Sequence, residues 1–396
     1  MPLRRRLLIF TAMAGAFASL GACALLVGDP DGHRQLGDTP GDSSSSSSVS
    51  DAGPDTMPDR GDADADADSQ VDADAAPTDA GDAGFGGKPI AIANGQTPAG
   101  IVATGDGIYW SNSSDATIRR LPRPDGGGLP LTTGMTTVVN VADSGAQSAT
   151  DLLVDTNTLY ALVGPPALPQ STCRTFVDLT VPSGSGITCA KPTNVCSSTT
   201  SIASRLAIDT TNVYMSNGDC KYILYEAKPG NNSNGWRQFG SLSAQSSALA
   251  SDNTNLYYAF DREIDAQLLA TGSLPDPTPF ALSHTGIVDL VVDGTAVYWI
   301  DQGGEVETLA KAQAGEPPTV LATGQSSPVR LAVDDTNLYW TNSGGSVAGT
   351  GSVMMVPKHG GTPVVLANSQ NSPGAIAVDS LALYWTTSTA IMELVR

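Results

Sequence analysis

A twelve-residue pattern recurs seven times along the second part of this chain. The copies IVATGDGIYWSN, LLVDTNTLYALV, LAIDTTNVYMSN, LASDNTNLYYAF, LVVDGTAVYWID, LAVDDTNLYWTN and IAVDSLALYWTT align without a gap. Their shared tyrosines are Tyr109, Tyr160, Tyr214, Tyr257, Tyr298, Tyr339 and Tyr384, with separations of 51, 54, 43, 41, 41 and 45 residues. Copy six shows what one period contains. VRLAVD reads as a strand whose side chains alternate in and out, LYWTN follows a turn, SVMMVP follows a Gly-rich loop, and KHGG turns into TPVVLA. Each run is short, rich in β-formers and bounded by turn residues, which makes four strands per period. No run repeats with the 3.6-residue period of a helix.

Four antiparallel strands in about 40 to 50 residues is the unit of one propeller blade. The expected fold class is therefore all-β, a seven-bladed β-propeller of four-stranded antiparallel blades. The last copy supplies only three strands, ending in AIMELVR, Ala390 to Arg396. Its missing partner stands before the first copy: GKPIAIANGQTP, Gly87 to Pro98, matches GTPVVLANSQNSP, Gly361 to Pro373. The last blade is thus expected to be closed by the N-terminal strand, which removes the open edge of the array.

Residues ahead of the repeats divide in two. Arg4, Arg5 and Arg6 precede an apolar run from Leu7 to Leu20, the layout of an export signal. That run meets Leu20-Gly21-Ala22-Cys23, which resembles the lipobox of bacterial lipoproteins; the resemblance implies lipidation at Cys23. Residues 24 to 84 carry fifteen Asp against only Arg34 and Arg60, with a serine run at Ser43 to Ser48 and almost no apolar side chain. Such a segment has too little apolar surface to offset its ordering entropy, so a self-repelling tether is expected. It lacks the glycine turn and terminal glutamate of an EF-hand loop, which argues for diffuse cation condensation over a built calcium site. The expected organisation is a signal peptide at 1–22, a disordered Asp/Ser/Ala-rich tether at 23–84 and the propeller at 85–396.

The chain's net charge of −20 comes with no basic patch, which excludes an electrostatic footprint for nucleic acid. With Cys23 assigned to lipid, Cys173, Cys189, Cys196 and Cys220 remain, all in the second and third blades. An even number in an exported chain points to two disulfides of open connectivity, and none of their spacings is the close pair typical of zinc.

Asp155, Asp209, Asp252, Asp293, Asp334 and Asp379 sit five residues before the shared tyrosines, with Thr104 in the first copy. An aspartate used six times is read as a turn former, whose carboxylate accepts from the following N–H groups. Trp110, Trp299, Trp340 and Trp385 are read as filling between blades, with sugar stacking as the functional alternative. Trp236 lies off the register in the polar run NNSNGWRQFG, so Trp236, Arg237 and Phe239 are the candidate recognition residues. The three histidines His33, His284 and His359 match no hydrolase, metalloprotease or phosphate-loop motif. No catalytic residue, metal ligand or cofactor is expected, and an enzyme is the less favoured reading.

GDGIYWSNSSDATIRRLPRPDGGG and DTNLYWTN resemble the YWTD repeats of lipoprotein-receptor propellers, and more closely the YWTN-repeat propeller lipoproteins of myxobacteria-type soil bacteria. The resemblance departs from YWTD domains at Asn112 and Asn342, where those carry Asp, in keeping Trp after Tyr in only four copies, and in a count of seven instead of six. It carries shape further than function. The expected protein is a monomeric lipoprotein of the cell envelope, held at the outer membrane and facing the periplasm or cell surface. Its propeller would bind or scaffold an unknown protein or glycan. The alternative is a propeller lyase or hydrolase acting on envelope or extracellular polymer.

Overall fold

The computed structural model describes residues 84–123, 133–140, 148–155, 158–164, 175–178, 188–189, 203–217, 222–228, 237–241, 246–269 and 279–396. The signal, Cys23 and the tether lie outside the described residues. No helix among the described residues is long and apolar enough to cross a membrane.

The described strands form four-stranded antiparallel sheets spanning 98–140, 148–189, 203–241, 248–282, 287–322 and 328–370, with a further sheet that joins 376–395 to 90–94. In six of them every strand has at least three residues; in the sheet of 148–189 the outer strand is only Thr188–Cys189. Six complete blades are therefore described, where seven were expected. In the sheet that joins the two ends, Ile90–Asn94 pairs antiparallel with Ala390–Val395, setting Ile90 opposite Glu393 and Asn94 opposite Ala390. Flanking bonds from Gly86 N–H to Val395 O (3.1 Å) and from Gln96 N–H to Thr389 O (3.0 Å) extend the match beyond the strand.

The reason for the Tyr-Trp dipeptide is the two-residue period of a strand. Adjacent side chains point to opposite faces of the sheet, so Tyr packs toward the next blade and its neighbour toward the previous one. Tyr257 shares a cluster with Trp299, Tyr298 with Trp340, Tyr339 with Trp385, and Tyr384 with Trp110 across the junction of the last and first blades. Where Trp is absent the same slot takes another side chain. Met215 faces Tyr160, Tyr258 faces Tyr214, and Ala161 faces Tyr109. The four tryptophans of the repeat, Trp110, Trp299, Trp340 and Trp385, have 0% exposure, which rules out sugar stacking on them.

The repeated aspartates do more than form turns. Asp334 Oδ1 accepts from Thr336 N–H (2.8 Å) and Asn337 N–H (2.7 Å), while its Oδ2 accepts from the Tyr339 hydroxyl (2.7 Å). Asp209, Asp252 and Asp293 repeat the arrangement with Tyr214, Tyr257 and Tyr298. In the first copy Thr104 does not take over this role. Its hydroxyl donates to Gly107 O at 2.8 Å, and Asp106 receives the Tyr109 hydroxyl at 2.9 Å.

A cation from the next blade then closes on the same carboxylate. Lys311 Nζ lies 2.6 Å from Asp252, and Lys358 Nζ lies 2.8 Å from Asp293. Arg396 pairs with Asp334, Arg123 with Asp379, and Lys228 with Asp155. Each cation follows the third strand of its own blade, so each pair ties two neighbours together. Arg396 also lies over the rings of Phe85 and Tyr339, at 5.3 and 5.9 Å.

These clasps link stability to pH. Burial alone would raise the Asp334 carboxyl, but Arg396, the Asn337 N–H and the Tyr339 hydroxyl more than offset it and hold it at about 2, below its ordinary 3.8. A carboxyl depressed on folding contributes stability above its unfolded value and loses it as pH falls through the folded one. Arg396→Gln is expected to cost on the order of 1 to 2 kcal/mol at pH 7, allowing for partial solvent screening. That penalty should shrink between pH 4 and pH 2 in denaturant titrations; a penalty independent of pH would show that the clasp is not electrostatic.

Candidate functional site

The first strands of the sheets line a central cavity of about 420 Å³, with Ile101, Leu152, Leu206, Leu290, Leu331 and Ile376 among its walls. Its charges are Asp151, Arg205, Asp289 and Arg330. Asp289 Oδ1 meets Arg205 Nε at 3.1 Å and lies 3.6 Å from Arg330, while Oδ2 accepts from Leu331 N–H at 3.0 Å. Asp151 accepts from Leu206 N–H at 2.9 Å and from Leu152 N–H at 3.2 Å. Burial pushes both carboxyls up, and the Arg205 guanidinium opposes it. Both acids bond the backbone of a neighbouring blade's inner strand, so they serve as cross-blade ties. Neither His284 nor His359 lines this cavity.

The residues singled out by sequence separate. Trp236 lies outside the described residues. Arg237 opens the outer strand Arg237–Ser241 and is exposed, as a recognition residue requires. Phe239 is not at the surface: it is 4% exposed and meets Tyr214 and Tyr225 edge-on at 5.4 and 6.0 Å. Two residues along a strand normally share a face, but the ladder shifts register beside Phe239 between Ile223 and Leu224, which is why Arg237 and Phe239 part company. Cys173, Cys196 and Cys220 lie outside the described residues, and Cys189 is placed by its backbone alone at Thr188–Cys189. No disulfide is found among the described residues. His359 is exposed in the turn after the strand Gly351–Pro357.

His284 is the histidine with chemistry around it. It stands in the connection between Pro279–Leu282 and Ile287–Val292, facing the hairpin that joins Ala296–Asp301 to Val306–Ala310. Nδ1 lies 2.6 Å from Glu305 Oε2 and 3.5 Å from Glu307 Oε1. The surrounding bonds fix these groups. Asp301 Oδ1 accepts from Glu305 N–H (2.9 Å), Asp301 Oδ2 accepts from Thr285 N–H (3.2 Å), and Ser283 donates to Glu307 Oε2 (2.5 Å). The hairpin turns at Gly304, whose φ is +83° and whose added Cβ would lie 2.4 Å from Gln325 O, so no other residue fits. Glu305 and Glu307 raise the imidazole above its ordinary 6.5, while burial raises the Glu307 carboxyl against bonds from Ser283 and Trp299. Sequence spacing hid this group because two strands, Ile287–Val292 and Ala296–Asp301, and the loops around them separate His284 from Glu305 and Glu307. The signal available was a break in the repeat. Gln96, Gln325 and Gln370 end the runs ANGQ, ATGQ and ANSQ, whereas the matching run at His284 reads ALSH.

The sheets, the ring of first strands and the blade-to-blade clusters define the class: this is a β-propeller. Among solved structures, virginiamycin B lyase from Staphylococcus aureus is similar at 13% identity over 78% of this chain and 98% of that one, with a TM-score of 0.58. The catalytically inactive H270A form of that lyase with quinupristin gives 14% identity, 78% and 99% coverage and a TM-score of 0.59. The computationally designed Ika8 protein gives 12% identity, 78% and 100% coverage and a TM-score of 0.53. At such identities the likeness is one of fold. No protein-family model matches the chain, and no curated sequence matches it.

The tie at Asp289 is open to a direct test. Asp289→Ala takes the carboxylate from Arg205 and from Leu331 N–H, and breaking a buried pair from one side costs about 3–5 kcal/mol. Equilibrium denaturation should register a loss of that order; a loss below about 1 kcal/mol would mean the cavity charges are solvated rather than structural.

Proposed function

We propose that this chain is a lipid-anchored protein of the cell envelope whose seven-bladed propeller, carried on the acidic tether, serves as a binding or scaffolding module. Cys23 would carry the lipid, the segment 23–84 the reach, and the propeller the recognition surface. The observation that carries the reading is where the repeated polar and aromatic residues go. Aspartates, tyrosines and tryptophans that resemble a ligand site in any one copy are bonded and buried between blades. The cavity charges likewise meet one another and the backbone. What remains for function is surface that departs from the repeat, with Arg237, which opens the outer strand Arg237–Ser241, and its neighbour in sequence Trp236 as the proposed contact. The count of seven is supported by seven repeat copies and by blade-to-blade clusters in every interval from the first copy round to the last.

A propeller lyase or hydrolase is less well supported: the central cavity has no histidine among its described lining residues, and its charged groups are bonded to one another and to the backbone. Two measurements test the proposal. Cys23→Ala should move the protein from the detergent-extracted membrane fraction to the soluble fraction; unchanged fractionation would remove the lipid anchor. The full chain should retain a defined envelope protein or glycan on affinity capture, with Trp236→Ala and Arg237→Ala reducing recovery about tenfold, as hot-spot residues do. Equal recovery from all three would remove that contact.

A further inference from the structure

In three blades the buried indole N–H is met by a glutamine from the segment leading into that blade. Trp110 Nε1 donates to Gln96 Oε1 (3.3 Å), Trp340 to Gln325 (2.9 Å) and Trp385 to Gln370 (3.0 Å). In the blade of Trp299 the glutamine position is His284, and the indole turns to Glu307 Oε2 at 2.7 Å. Glu307 is paired across the strand from Trp299, where the other three blades place Arg119, Met354 and Met392 opposite Trp110, Trp340 and Trp385. Two substitutions, at positions that meet only in the folded blade, thus replace a neutral amide with an imidazole and a carboxylate. Neither is needed to cap an indole, since Gln does so three times.

The result is a pocket of ligand atoms. One atom from each of His284, Glu305 and Glu307 lies within 4.8 Å of the others. Glu307 is 0% exposed, and its Oε1 has no hydrogen-bond donor among the described residues although it faces His284 at 3.5 Å. A buried carboxylate oxygen with no donor carries a desolvation cost that a cation offsets. The other Glu307 oxygen is fixed by Ser283 and Trp299, and Asp301 holds the Glu305 backbone, so the ligands are oriented before any ion arrives. His284 has 66% of its side chain exposed, which leaves an approach from solvent.

We infer that His284, Glu305 and Glu307 form a binding site for a divalent first-row metal ion, with zinc the best match and one coordination position open to water or to a ligand. A tetrahedral zinc with bonds of about 2.0–2.2 Å holds its ligands roughly 3.3–3.6 Å apart, a spacing this cluster reaches by side-chain adjustment. One imidazole with two carboxylates favours zinc or manganese over magnesium or calcium, which prefer all-oxygen shells. The inference is independent of the lipid anchor, and a Cys23→Ala chain should bind metal as the unaltered chain does.

The test is titration of the full chain with zinc by calorimetry, repeated with cobalt(II) to read the visible absorption of a tetrahedral site. His284→Gln restores the residue of the other three blades and so keeps the fold, and Glu305→Gln removes a second ligand from a half-buried position by an isosteric change. The expected result is one saturable zinc per chain, weakened in both variants by more than the roughly 10- to 100-fold that loss of a mere outer partner costs. Uptake by the Asp-rich tether is common to all three chains and cancels in the comparison. Absence of saturable binding, or equal affinity in the three chains, overturns the inference and leaves His284 as a counter-charge for the two glutamates.

Discussion

The packing of one blade on the next leans on a repeated carboxylate, seen in full at Asp252, Asp293 and Asp334. The aspartate at the end of the first strand uses one oxygen to close the turn onto two N–H groups and the other to hold the tyrosine hydroxyl. That bond aims the ring into the next blade, and the cation following the next blade's third strand returns to the same carboxylate. Local turn, blade packing and blade-to-blade tie are therefore one network, and networks of this kind are worth more than separate pairs. Where the repeat keeps Asp, Tyr and the cation together, as at Asp252, Asp293 and Asp334, this network is the reason.

The arrangement also explains how a chain with 42 glycines, 26 prolines and short strands holds together. No single blade has a core of its own. Its two faces are completed by neighbours, as Tyr339 and Trp385 complete one face and Tyr298 and Trp340 the other. Such an array depends on meeting itself. The pairing of Ile90–Asn94 with Ala390–Val395, together with Arg123 on Asp379, supplies that meeting.

Much of the fold was legible because it is periodic. The tyrosine spacing gave blades, alternation gave strands, and the match of GKPIAIANGQTP to GTPVVLANSQNSP gave the closing strand. What escaped was whatever joins residues from different blades. The cations Lys311, Lys358 and Arg396 each stand next after a third strand, a pattern visible in sequence, but their partners are the aspartates of the preceding repeat and only the fold brings them there. Thr104 was read as the turn residue of the first copy, whereas Asp106, two positions on, carries the tyrosine. Phe239 was read beside Arg237 as surface, and the shifted ladder buries it. The His284 cluster was missed for the opposite reason: it is a departure from the repeat, and departures gain meaning only once the role of the regular residue, capping an indole, is known.

A double-mutant cycle on Asp334 and Arg396 tests the network most directly, with Asp334→Asn, Arg396→Gln and the double variant compared by denaturation at pH 7. The account predicts a coupling energy of about 1 kcal/mol or more, since groups in one network are not additive. Additive losses, with no coupling between the two residues, would contradict the claim that the aspartate of one blade is held by the next.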